Sequence, residues 1–174
     1  MFKRILVTLD GSPFAEAALE PAFGMAEKFQ SEVVLVQAVM PAELAVTAGQ
    51  GTTYYELKRL CEQQECEAAD DYLRRIRGEW LGCGVPVRSE VVVGPPPATI
   101  IALASRYEVG LIVMSTHGRS GLSRLIYGSV AEAVLRGPRC RCCWCRSAEP
   151  VSRSPWRFTR LCWVSWGAWT SAAG

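Results

Sequence analysis

Val109-Gly110-Leu111-Ile112-Val113-Met114-Ser115-Thr116-His117-Gly118, taken up again at Gly128-Ser129-Val130-Ala131-Glu132, decides how this chain is read. The first part is the unbroken apolar run of a parallel strand covered on both faces. A glycine-punctuated loop follows, then a glycine and a hydroxyl at the mouth of a helix. Exposed backbone N–H groups ahead of a helix N-terminus are where an α/β protein holds an anion, usually a phosphate. Nucleotide binding is the leading expectation.

The rest of the chain supplies the sheet around that strand. Ile5 to Leu9 is an apolar run rich in β-formers, stopped by Asp10-Gly11-Ser12-Pro13. Ser12 is placed to cap a helix and Pro13 to be its first residue. Ala15, Ala18, Leu19, Ala22, Phe23, Ala26 and Phe29 recur at helical spacing, with Pro21 predicting a kink among them. Val33 to Val39 reads as the second strand, and residues 41–54, with Gly49 and Gly51, read as a loop. The second helix carries Leu57, Leu60, Cys61, Ala68, Tyr72, Leu73, Ile76 and Trp80 on one face, read as core. Val85 to Val93, with its early Pro86, suits an edge strand. Gly94-Pro95-Pro96-Pro97 turns into a third helix, Ala98 to about Tyr107, and a fourth begins near Ser129. Strands alternating with helices predict an α/β fold, an open parallel sheet with helices on both faces. Ligands then sit beyond the carboxyl ends of the strands, where the winding reverses. Asp10 and the run from Ser115 to Gly118 both fall at such ends.

Composition narrows the function classes. With 174 residues, 49% hydrophobic and 21% charged, the chain is neither disordered nor membrane-spanning in character. Met1-Phe2-Lys3-Arg4 runs into a strand without the apolar stretch of a secretory signal, so a cytoplasmic protein with no membrane partner is expected. Residues 137–174 hold six arginines and one acid, leaving residues 1–136 with 13 bases and 16 acids. That body offers no electrostatic footprint for nucleic acid. No Gly-x-x-x-x-Gly-Lys-Ser/Thr run and no Gly-x-Gly-x-x-Gly fingerprint is present. Cys61, Cys66 and Cys83 lack metal-ligand spacing and read as free thiols. His117, the single histidine, has no evident nucleophile or acid partner.

At these residues the chain resembles the universal stress protein family. The family signature is glycine, two residues, glycine, nine residues, glycine, then serine or threonine. Ser115 stands at its first glycine, Gly118 at the second, and Gly128-Ser129 completes it. Asp10, the Gly94-Pro95 turn and the Val130-Ala131-Glu132-Ala133-Val134-Leu135 segment extend the likeness over residues 1–136.

The resemblance implies a flavodoxin-like, Rossmann-like fold of five parallel strands. It also implies ATP binding, with Mg²⁺ or Mn²⁺ on the phosphates, and a role in stress response. Carried over, Asp10 faces the ribose, the Ala38 backbone meets the adenine and Met114 lines the base pocket. Ser115, His117, Gly118, Gly128, Ser129 and Val130 complete the cofactor site, the last four around the phosphates. Glycine lets backbone N–H groups approach a phosphate without a Cβ in the way, and Arg119 or Arg124 could add counter-charge. Ser115 in place of glycine narrows the site slightly. Plainer readings stand beside these: Asp10 as a turn residue, Ser129 and Glu132 as a capping box, Met114 as core. No catalytic set emerges, so the chain reads as a binding module. The alternatives are a slow ATPase or phosphotransferase in the same pocket, and a nucleotide-free dimerisation scaffold.

The end of the chain departs from the resemblance. The family's fifth strand, a Pro-Val run into Val, Leu and Ile, is replaced by Pro138-Arg139-Cys140-Arg141-Cys142-Cys143-Trp144-Cys145-Arg146. Five of the eight cysteines and five of the six tryptophans lie in residues 137–174. Encoded as UGC-CGG-UGC-UGC-UGG-UGC-CGG, residues 140–146 read Pro-Val-Leu-Leu-Val-Pro from the third base. A frameshift near codons 137–140 therefore accounts for the tail. Zinc or copper on Cys140, Cys142, Cys143 and Cys145, single-stranded nucleic acid on the Arg and Trp residues, and a genuine extension of unknown use are the competing readings. The expected domain is residues 1–136, with 137–174 outside the native fold. The fifth strand is then missing or replaced, and the fourth is left as an open edge. The family's homodimer, paired through the last strand, is correspondingly in doubt.

Overall fold

The structure, a computed structural model, describes residues 2–40, 51–116, 129–137, 141–146 and 162–164. At 51–57, 116, 141–146 and 162–164 it describes the backbone alone. The elements in chain order are β1 (Arg4–Leu9), α1 (Pro13–Glu16), α2 (Leu19–Phe29), β2 (Glu32–Val39), α3 (Gly51–Glu79), β3 (Val87–Val93), α4 (Pro96–Arg106), β4 (Leu111–Thr116), α5 (Ser129–Leu135), β5 (Arg141–Arg146) and β6 (Cys162–Val164). They form one sheet of order β3-β2-β1-β4-β5-β6. Every pairing is parallel except β6, which runs antiparallel to β5.

Strand side chains alternate between faces, and each face has its own core. Ile5, Val7, Leu9, Val33, Leu35, Leu111 and Val113 pack against α1, α2 and α3. Leu6, Val34, Val36, Ile112 and Met114 pack against α4 and α5 through Ile100, Leu103, Ala104, Ala131 and Val134. β1 and β4 are apolar on both faces because both faces are covered. β3 lies at the sheet edge, as its proline and alternation predict. Among the described residues no helix is long and apolar enough to cross a membrane.

Three expectations need correction. The kink expected at Pro21 is a break further back: α1 ends at Glu16 and α2 begins at Leu19. Pro21 thereby falls in the first turn of α2, where a missing N–H costs nothing. Leu57 lies outside the residues whose side chains are described, and over 58–79 the predicted core face of α3 is fully buried only from Ala69 onward. Leu73 and Ile76 are fully buried, but Leu60 is 56% exposed, and Ala69 is buried where Ala68 is not. At 29 residues α3 is ~43 Å long, whereas the seven residues of β3 span ~23 Å, so its first half overhangs the sheet.

The third correction concerns the fifth strand. β5 occupies that position, pairing with β4 from Leu111↔Arg141 to Thr116↔Arg146. The open edge expected at β4 is therefore closed. A ladder is made of backbone groups, and an unpaired strand edge accepts any extended segment that reaches it. A search for a Val/Ile-rich run overlooks Arg141–Arg146 for that reason.

Candidate functional site

The chain builds outward from β1 to β2 and β3, then returns to place β4 on the other side of β1. The winding reverses between β1 and β4, and a crevice is expected at their carboxyl ends. The ladders mark where it opens. β1 pairs with β2 as far as Leu9↔Gln37, but its pairing with β4 stops at Val7↔Val113. Beyond that pair β1 continues through Leu9 to Asp10, and β4 through Met114 and Ser115.

Asp10 is exposed at the end of β1. Its Oδ1 accepts the Ser12 N–H at 2.9 Å, a side-chain turn that orders the bend. Gly11 adopts φ +78°, the left-handed region that favours glycine. The Ser12 hydroxyl then accepts the Ala15 N–H at 3.2 Å and caps α1, with Pro13 as its first residue. The turn reading of Asp10 holds, and Oδ2 has no hydrogen-bond partner among the described residues.

Ala38 lies one residue past the end of the β1–β2 ladder. The Glu32 N–H donates to Lys3 on the β1 side at 3.0 Å, the Val33 N–H to Pro86 on the β3 side at 2.9 Å, and Val39 accepts Gly94 N–H at 2.8 Å. This alternation turns the Ala38 carbonyl toward β1, past the point where β1 ends, so it is presented at the crevice. Met114 is 5% exposed and belongs to the core beside Ala131 and Val134. Ser129 opens α5 and is exposed, while Val130 is half-buried against that core. The Glu132 carboxylate pairs with Arg136 four residues on, an arrangement the capping-box reading did not predict. His117, Gly118 and Gly128, with Arg119 and Arg124, lie outside the described residues.

Among the described residues, two polar atoms at this end of the sheet are buried without a hydrogen-bond partner: Gln37 Oε1 and Ser115 Oγ. Both residues continue the face of Leu35 and Val113, toward α1 to α3. Gln37 Nε2 lies 3.9 Å from where a Cβ on Gly11 would stand, so its amide backs the Asp10 turn. The sequence reading missed Gln37, although a lone polar residue in the apolar run Val33-Val34-Leu35-Val36-Gln37-Ala38-Val39 was a usable signal. Behind the turn, Tyr72 of α3 faces Glu16, which Arg75 holds at 2.8 Å. Burial and the Glu16 carboxylate both push the Tyr72 phenol above its ordinary value. Among the described residues no group of His, Cys, Asp and Glu could hold a metal ion.

The crevice, the Asp10 turn and the Ala38 carbonyl sit on residues that match a family model. The model for the universal stress protein family covers residues 1–143. The chain belongs to the universal stress protein family. Universal stress protein MJ0531 of Methanocaldococcus jannaschii is 30% identical over 140 residues, covering 80% of this chain and 79% of that protein. MJ0577 of the same organism is 28% identical over 145 residues, covering 78% and 90%. The solved structure of MJ0577 superposes with a TM-score of 0.71 at 25% identity, covering 86% of this chain and 99% of that one. A universal stress protein solved in complex with cAMP has a TM-score of 0.54 at 19% identity, covering 83% and 97%, a likeness of fold. The flavodoxin-like α/β architecture of the family is thus present in this chain.

Proposed function

We propose that this chain is an ATP-binding universal stress protein that acts as a binding module. The observation that carries the reading is the parting of β1 and β4 beyond Val7↔Val113, with Asp10 and Ser115 at the two strand ends. The groups around it suit a nucleoside. The Ala38 carbonyl accepts an exocyclic amino N–H, Oδ2 of Asp10 accepts a sugar hydroxyl, and Met114 supplies an apolar floor. The neighbour solved with cAMP supports this ligand class, since cAMP carries the same base and sugar. The signature residues Gly118, Gly128, Ser129 and Val130 would hold the phosphates, and Mg²⁺ or Mn²⁺ would take its remaining ligands from the phosphates and water.

Calorimetric titration with Mg·ATP tests this reading. The parent chain saturates at one nucleotide per chain, and Asp10→Ala weakens binding by roughly tenfold, the loss of one hydrogen bond to a charged group. Absence of any heat or saturation in a cooperatively folded sample would overturn the reading and leave a nucleotide-free scaffold. Steady phosphate release from the bound nucleotide would assign the slow ATPase instead.

A further inference from the structure

The geometry points to the Ser115 hydroxyl as a group that reads the sugar of a bound ribonucleotide, an inference that rests on the nucleotide reading above. Ser115 stands two residues beyond Val113, the last β4 residue paired with β1, near the end of β4 where the sheet opens beside Asp10 at the end of β1. Its Oγ is buried and has no hydrogen-bond partner among the described residues. Folded proteins pair the large majority of such atoms, so an unpaired one at the mouth of a crevice calls for an explanation. The residue as a whole is only half-buried. With no described residue holding the hydroxyl in place, it can turn about χ1 between staggered positions toward a molecule in the crevice.

Chemistry selects which part of a nucleotide meets it. At the end of β1 is the Asp10 carboxylate, with one oxygen committed to the Ser12 N–H at 2.9 Å. A carboxylate repels phosphate and accepts from O–H and N–H donors, whereas a serine hydroxyl both donates and accepts. The donors on the base are matched by the Ala38 carbonyl, one strand further over. The vicinal hydroxyls of ribose remain: one donates to Asp10, and the neighbouring one exchanges a hydrogen bond with Ser115 Oγ. Glycine at this position has no hydroxyl to offer, so the contact belongs to this chain and not to the signature it otherwise follows. A ligand lacking the matching hydroxyl leaves the serine unpaired and is disfavoured, by roughly three- to tenfold for a neutral hydrogen bond.

The test titrates Mg·ATP, Mg·2′-deoxyATP and Mg·3′-deoxyATP into the full chain, Ser115→Ala and Ser115→Gly, with the ligand-free Tm of each. The parent should prefer ATP over at least one deoxy analogue by roughly three- to tenfold, and both variants should bring that preference to within about twofold. The ligand-free Tm should hold or rise, because each substitution removes an unpaired buried hydroxyl. An unchanged preference in variants that still bind ATP overturns the sugar contact alone. A lowered Tm with the preference intact assigns Ser115 a purely structural role and also overturns it. A parent that binds none of the three nucleotides removes the nucleotide reading, and this inference with it.

Discussion

Val7 and Val113 form the last pair between β1 and β4, while Leu9 is still paired with Gln37 on the other side of β1. That difference in ladder length opens the sheet at the point where its winding reverses. It leaves Asp10 at the end of one strand, Ser115 near the end of the other, and the Ala38 carbonyl beyond the last residue of β1. The site is a consequence of strand order and strand length before it is a matter of side chains.

The two halves of α3 differ in what they cover, and mutation separates them. Leu73→Ala empties a fully buried position and should cost about 2–5 kcal/mol in urea unfolding. Leu60→Ala, at a residue 56% exposed, should stay within about 0.5 kcal/mol of the parent. Equal losses at the two positions would contradict the overhang.

Tyr72 gives the fold an alkaline limit. Its folded-state pKa is raised, first by burial and then by Glu16. Below the unfolded value of about 10 both states keep the proton, and the contribution is complete. As pH rises past about 10 the unfolded chain loses the proton first, so stability falls toward the folded-state value. Tyr72→Phe should lose less stability than the parent between about pH 9 and pH 11, and should be no less stable near neutrality. Parallel pH profiles for the two proteins would refute the assignment.

Much of this was legible in advance. Continuous apolar runs announced β1, β2 and β4 because both sheet faces are covered. Ser12-Pro13 announced the start of α1, and Pro86 the edge position of β3. What was not legible depended on tertiary context. Pro21 sits harmlessly in a first turn only because the helix breaks before Leu19, and helical periodicity does not carry that break. Leu60 of α3 is exposed because the helix is longer than the strands beneath it. β5 was hidden because Arg141-Cys142-Cys143-Trp144-Cys145-Arg146 has no apolar-strand pattern, yet its backbone pairs with β4 throughout. The places of Asp10 and Ser115 at strand ends were also readable, from the turn after Leu9 and the loop expected after Thr116. Gln37 was passed over as one polar residue among valines.

The unusual sequence of β5 has a test outside the protein. We propose that the domain expected at residues 1–136 is followed by residues from a shifted reading frame, of which Arg141–Arg146 nonetheless take the fifth-strand place. The coding sequence, read from the third base of codon 140, should encode Pro-Val-Leu-Leu-Val-Pro. A shifted frame with no apolar strand would dismiss the frameshift and leave a genuine extension.

β6 covers the outer edge of β5 from Cys142 to Trp144. Proline cannot donate to a ladder, so Trp163→Pro should release β6 and expose that edge. Light scattering should then show larger species for the variant than for Trp163→Ala, which keeps the backbone donor. Matching profiles would mean that β6 does not protect the edge.

The most direct test of the nucleotide site is a thermal melt with and without millimolar Mg·ATP, on the full chain and on Gly128→Asp, which sets a carboxylate against the signature glycine. At about 100 times its dissociation constant the ligand should stabilise the fold by about 2.7 kcal/mol, a shift of several degrees. The account predicts that shift in the parent and its loss in Gly128→Asp. A cooperative melt that ATP leaves unmoved, or an equal shift in both proteins, would contradict it.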